Sequence, residues 1–263
     1  MKRQPFFLYI FAIKFTFMDF WILSILFLSI IIGATITQML KISDLSIKFL
    51  LSFSGSYLLS LAFILLLPEI FEQPDSEYLG LFVLLGFILQ LLLESISKGI
   101  EHGHHHDCDE KHGLHVSPVA LMIGVGLHSF LEGMPFASEA HSHTSELQHS
   151  LLTGIVIHNL PLSIVLMSLF LNAGYSIKKS YLFIVIIALA APMGNIVSYY
   201  AGNHLLSDFQ RYYQVIMAIV VGIFFHISAT ILFETGTNHR LKITNWLIIL
   251  LGIGTALLSK IFH

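Results

Sequence analysis

The sequence predicts an all-α integral membrane protein, eight transmembrane helices in one bundle. Three observations predict it. Of 263 residues, 56% are hydrophobic and only 11% charged, with mean hydropathy +0.81; a soluble domain carries about 25% charged residues. The apolar residues fall in continuous runs of roughly 20, the length an α-helix needs to cross a bilayer. An outer-membrane barrel would instead alternate apolar and polar positions. The charged residues gather in short stretches between the runs.

Residues 1–19 read as an N-terminal extension. Lys14 interrupts the apolar start "MKRQPFFLYIFAIKF" and no small-x-small cleavage site follows, so this is not a removed signal peptide; Met18 is an alternative start. Residues 20–263 form a single eight-helix domain. Its spans run at roughly 20–40, 49–71, 78–98, 117–138, 147–171, 180–201, 212–233 and 244–262, each long enough to cross the membrane. "PEIFEQPDSEY" separates the second and third, "KGIEHGHHHDCDEKHGLHVSP" the third and fourth, "NAGYSIKK" the fifth and sixth, and "ETGTNHRLKITN" the seventh and eighth. Most linkers are short, so neighbouring helices pack antiparallel.

Lysine and arginine set the orientation. Linkers after the odd spans hold Lys41, Lys48, Lys98, Lys111, Lys178, Lys179, Arg240 and Lys242. The other side holds Arg211 and Lys260, with Lys2, Arg3 and Lys14 in the extension. The first side is therefore cytoplasmic and both termini are extracytoplasmic, in a plasma (inner) membrane. The histidine-rich linker 99–116 then faces the cytoplasm. The formal charge of −3 is spread over loops, and no basic block suits a nucleic acid. The lone Cys108 excludes an intrachain disulfide; among histidines and acids it is either a metal or redox group or a solvated loop residue.

The fourth span contains "HSFLEGMPF" and the fifth "HNLPLS". Ionisable groups at membrane depth are expensive and line polar paths or pair with one another. His128 and Glu132 are i and i+4, on one helix face, with Ser129 beside them. His158 and Asn159 lie at similar depth in the next span. Pro161 has no N–H for the carbonyl of Ile157, which opens the backbone there. Neutral imidazoles with a carboxylate suit a borderline divalent ion such as zinc. A hydrogen-bonded structural network is the alternative; two adjacent spans that each carry a mid-depth histidine favour the metal. Gln90 and Glu94 lie late in the third span, Glu94 near the interface; Asn195 and His226 either line the path or bond between helices. Gly33, Gly55, Gly86, Gly124, Gly126, Gly194, Gly222 and Gly252 are placed for close helix packing.

Two histidine tracts flank this constellation. "EHGHHHDCDEKHGLH" places His102, His104, His105, His106, His112 and His115 among acids. It lacks the fixed spacing of a zinc finger and reads as a flexible chelating tract. "EAHSHTSELQH", on the predicted outer face, offers Glu139, His141, His143 and His149. Each tract alone is compatible with a solvated loop; their position at both mouths of a membrane metal site favours metal capture and release.

These motifs resemble the ZIP (Zrt-/Irt-like) family of divalent metal transporters. Members show His-Asn/Ser-x-x-Glu-Gly in the fourth span, where this chain has "HSFLEG". In the fifth they show His-Glu/Asn-x-Pro-x-Gly-like patterns, where it has "HNLPLS". "ALAAPMGN" and "GIFFHISATILFE" are softer matches, and the likeness covers about 20–263. It implies an eight-helix inverted-repeat fold with extracytoplasmic termini and a mid-membrane site in spans four and five. On this chain the implied ligands are His128, Ser129, Glu132, His158 and Asn159, with transport toward the cytoplasm. Leu162 stands where many members carry a bridging glutamate, and Ser163 where glycine often follows. Leu65 stands where the second span often has histidine or aspartate. A single-metal site is therefore expected.

The transported substrate expected is a divalent cation. Zinc is favoured by histidine usage; iron, manganese, cadmium and cobalt tolerate the same ligands. Partners are the metal, the lipid bilayer and a homodimeric second copy. No nucleotide-binding motif is visible. The competing class is an intramembrane zinc hydrolase, which would recruit His226 to the site and activate water; a third is a metal sensor without flux. The carrier reading, not an enzyme, accounts for more of the residues.

Overall fold

The computed structural model describes residues 17–40, 42–72, 76–97, 117–137, 145–202, 208–234 and 242–261. The described residues contain helices and no strand, and eight helices are long and apolar enough to cross a membrane. They are α1 (Phe17–Met39), α2 (Asp44–Phe71), α3 (Leu79–Ser97), α4 (Pro118–Gly133), α5 (Ser145–Asn172), α6 (Ile177–Tyr200), α7 (Phe209–Glu234) and α8 (Ile243–Ile261). The expected spans are all present. Several helices outrun their apolar windows because caps, not hydropathy, set their ends. α2 begins at Asp44, where Ser43 Oγ accepts from the Ser46 amide at 3.2 Å. The α5–α6 turn is a Schellman motif: the Tyr175 amide donates to the Phe170 carbonyl and the Gly174 amide to the Leu171 carbonyl. Gly174 adopts φ +84°, which a side chain would strain.

Three helices are interrupted for readable reasons. α2 passes through a π-helical turn at Ala62–Leu66. Pro68 has no N–H for the Ile64 carbonyl four residues back; Lys260 Nζ of α8 donates to that carbonyl at 3.3 Å. α6 breaks at Leu189, between Ile177–Ala188 and Ala190–Tyr200, because Pro192 cannot donate to Ala188. α4 ends in a 3-10 turn, Met134–Ala137, at Pro135. Pro161, by contrast, is carried inside a continuous α5.

Two apolar clusters hold the bundle. One joins α1, α4, α5 and α6 through Ile30, Val125, Leu162, Leu166, Phe170 and Ile184. The larger centres on α2 and α7, with Leu58, Leu61, Leu66, Phe224 and Ile227, and also takes in Ile155 of α5. In lipid the hydrophobic effect does not drive helices together, so close contact depends on small residues. A Cβ on Gly133 of α4 would collide with the Ala191 carbonyl of α6, and one on Gly194 of α6 with the Phe130 carbonyl of α4. Gly86 of α3 and Gly222 of α7 make the same reciprocal contact, with the carbonyls of Ile219 and Val83. Gly33, Gly55 and Gly252 also pack closely, whereas a Cβ on Gly126 would meet nothing within 4 Å. Close helix packing is therefore not what the structure shows at Gly126. α3 and α8 turn leucines outward, among them Leu84, Leu91, Leu250 and Leu251, as a lipid-facing surface requires.

Candidate metal centre

Both helices that carry the mid-membrane histidines are fixed close to them. α4 is clamped on α6 at Gly133, the residue after Glu132. α5 is clamped on α1 at Gly33, where a Cβ would run into the Leu160 carbonyl and Ser163 Oγ, within two turns of His158. Short backbone-to-backbone distances leave these helices little freedom to slide, so the side chains they carry are held in place.

His128 and Glu132 project from one face of α4, with His128 Nε2 3.2 Å from Glu132 Oε1. The His158 ring on α5 meets the His128 ring edge to face, centroids 5.9 Å apart and planes at 90°. One ligating atom from each of His128, Glu132 and His158 lies within 4.8 Å of the others. Their exposures are 1%, 0% and 2%, so water does not compete for them. Two ligands on a tetrahedral zinc stand about 3.4 Å apart when each is about 2.1 Å from the ion. The His128–Glu132 pair, at 3.2 Å, is close to that spacing, and the His158 ligand atom lies within 4.8 Å of both.

Polar atoms around this triad are left over. Ser129 Oγ, His158 Nδ1 and Asn159 Oδ1 are buried and make no hydrogen bond. Burying such atoms unsatisfied costs about 1–3 kcal/mol each, a cost a cation would relieve. Asn159 Nδ2 does have a partner, donating to Ser29 Oγ of α1 at 3.1 Å. Two imidazoles, one carboxylate and neutral oxygens nearby form a donor set for a borderline divalent cation. Leu162 is 3% exposed and packs in the apolar cluster with Ile30 and Val125, so it adds no ligand.

The other predicted residues fall elsewhere. His226 of α7 does not join the triad; its Nδ1 lies 3.4 Å from Glu94 Oε2 of α3, with Phe87 edge-on at 4.9 Å. Gln90 and Asn195 are buried. His149 is exposed, in the first turns of α5. His102, His104, His105, His106, His112, His115, Cys108, Glu139, His141 and His143 lie outside the described residues. Sequence reasoning missed Ser29, Gly133 and the Glu94–His226 pairing. Gly133 could have been found from its place beside Glu132; a lone serine in an apolar helix gives no such signal.

The family model described as ZIP zinc transporter matches residues 98–260, the region that contains the whole triad. Zinc transporter ZIP9-B of Xenopus laevis is 26% identical to this chain over 122 residues, 46% of this chain and 40% of that protein. Zinc transporter ZIP9 of Xenopus tropicalis and ZIP9-A of Xenopus laevis are similar over the same shares at the same identity. The match thus spans less than half the length of these curated relatives.

Proposed function

The chain belongs to the ZIP zinc transporter family, and from that premise we propose that it carries a divalent cation, zinc before others, across a membrane into the cytoplasm. The observation that carries this reading is the convergence of His128, Glu132 and His158 from two adjacent spans in a fully buried position. Groups of this kind at membrane depth mark ion pathways. The cation would shed water onto these three ligands, with Ser129 and Asn159 as weaker oxygens. Leu162 keeps the site to one ion. One helix set then moves against the other, as inverted-repeat carriers do. The histidine tracts at 102–115 and 139–149 would receive and collect the ion at the two mouths. The hydrolase alternative would need His226 at the site; that residue pairs with Glu94, and the relatives are named as transporters.

The test is zinc uptake into proteoliposomes by the wild-type protein, Glu132→Ala and His158→Ala. Saturable uptake that both folded variants lose is the expected result. Folded wild-type protein that moves no metal under any imposed gradient would end the carrier reading.

A further inference from the structure

Asparagine is an ambiguous ligand. Its two ends have nearly the same shape and opposite chemistry: Oδ1 accepts and can meet a cation, whereas the NH2 group donates and repels one. Asn159 is 1% exposed, so water cannot satisfy whichever end faces inward. The end it offers depends on what holds the other.

The partner is Ser29 of α1, itself buried. A hydroxyl can give one proton and accept two, and Ser29 has already used its proton. Its Oγ donates to the Leu26 carbonyl at 2.7 Å. Only lone pairs remain for Asn159, so the amide must turn its Nδ2 to Ser29, as observed at 3.1 Å. Oδ1 is the end left over, buried and without a hydrogen bond. Ser29 reaches α5 because Gly33, one turn later on the same face of α1, lets the two backbones approach at Leu160.

We propose that Ser29 is a positioning residue for the metal site: it orients Asn159 so that a carbonyl oxygen, never an amide N–H, faces the transported cation. The proposal rests on the reading of Asn159 as a ligand given above. It gives the site a neutral oxygen in place of the second carboxylate that Leu162 does not supply.

Zinc affinity of the purified full-length protein, by titration calorimetry in detergent, tests it alongside proteoliposome uptake. Ser29→Ala should weaken zinc binding about tenfold, the usual scale for losing a group that orients a ligand, and raise the KM for uptake more than it lowers kcat. Ser29→Thr keeps the hydroxyl and its bond to the preceding turn, and should restore binding. In an Asn159→Asp background both ends of residue 159 accept, so Ser29→Ala should cost nothing. An equal loss in both backgrounds, or no loss in the Asn159 background, overturns the proposal and leaves Ser29 a packing residue. Zinc binding without uptake defeats the carrier reading alone and leaves the affinity test of Ser29 intact. Absence of zinc binding by the folded wild type overturns both.

Discussion

Two regions of this bundle use the same parts to different ends. In each, a histidine faces a glutamate beside a reciprocal glycine crossing. Between α4 and α6 the crossing is Gly133 with Gly194, and His128 and Glu132 stand next to it. Between α3 and α7 it is Gly86 with Gly222, and Glu94 and His226 stand one to two turns away. The first pair gains a third ligand, His158 from α5, and all three are sealed from solvent. The second joins two helices and, among the described residues, forms no group of three ligands; the Glu94 side chain is 14% exposed. The third donor, delivered by a helix fixed independently at Gly33, is what separates the two regions.

Substitutions can break that contrast. Replacing His128, Glu132 or His158 by alanine should lower zinc affinity by about a hundredfold or more, since removing even an orienting neighbour costs 10–100-fold. The same change at Glu94 or His226 should leave affinity near wild type; titration calorimetry of the five variants reads the difference. Comparable losses at both regions would make them one functional unit.

Leu162→Glu sharpens the comparison by adding a carboxylate to the first region. A buried unpaired charge there should destabilise the protein by about 3–5 kcal/mol. If residue 162 borders the site, saturating zinc should restore much of that loss in a thermal melt in detergent. A melt that zinc leaves unchanged would place Leu162 away from the ion.

The two glycine crossings should respond alike to Gly133→Ala and Gly222→Ala. Each added Cβ meets a backbone carbonyl, and overpacking of this kind costs about 1–3 kcal/mol. Their zinc affinities should diverge, with only Gly133→Ala weakening binding, because it displaces the turn that carries Glu132. Equal affinity for both variants would show that the α4–α6 clamp does not tune the ligands.

The smallest effect is expected at Lys260. Lys260→Ala leaves the Ile64 carbonyl without its α8 donor and should cost about 0.5–1.5 kcal/mol, a typical hydrogen bond, with no change in zinc affinity. A loss of affinity would tie the π-helical turn of α2 to the site.

Much of this architecture was legible because lipid imposes a simple length rule on apolar runs. The spans followed from it, and several of their ends moved by a few residues, as where Ser43 and Ser176 cap the starts of α2 and α6. His128 and Glu132 were legible because an i,i+4 spacing states a shared face. His158 was legible as a second polar residue at the same depth. Glu94 and His226 are far apart in the chain, and no periodicity links them. Ser29 is one hydroxyl in an apolar helix, and its meaning comes from where its proton goes. Gly126 and Gly133 differ in what faces them: a Cβ on Gly126 would meet nothing within 4 Å, whereas one on Gly133 would meet the Ala191 carbonyl.

The leucine at position 162 has an electrical consequence. Counted on formal charges, one carboxylate and two imidazoles take the triad from a single negative charge to a single positive one when a divalent ion binds. A second glutamate would have made the loaded form neutral and indifferent to voltage. If the chain works as the carrier proposed above, a negative cytoplasm would draw the loaded form inward and push the empty form back outward. In the proposed carrier each half of the cycle would feel the membrane potential, by about 2.3 kcal/mol per charge for every 100 mV crossed in full. In the carrier proposed above, Leu162 would therefore divide the two charges of a divalent ion evenly between the loaded and empty steps, where a glutamate would leave both to the empty one.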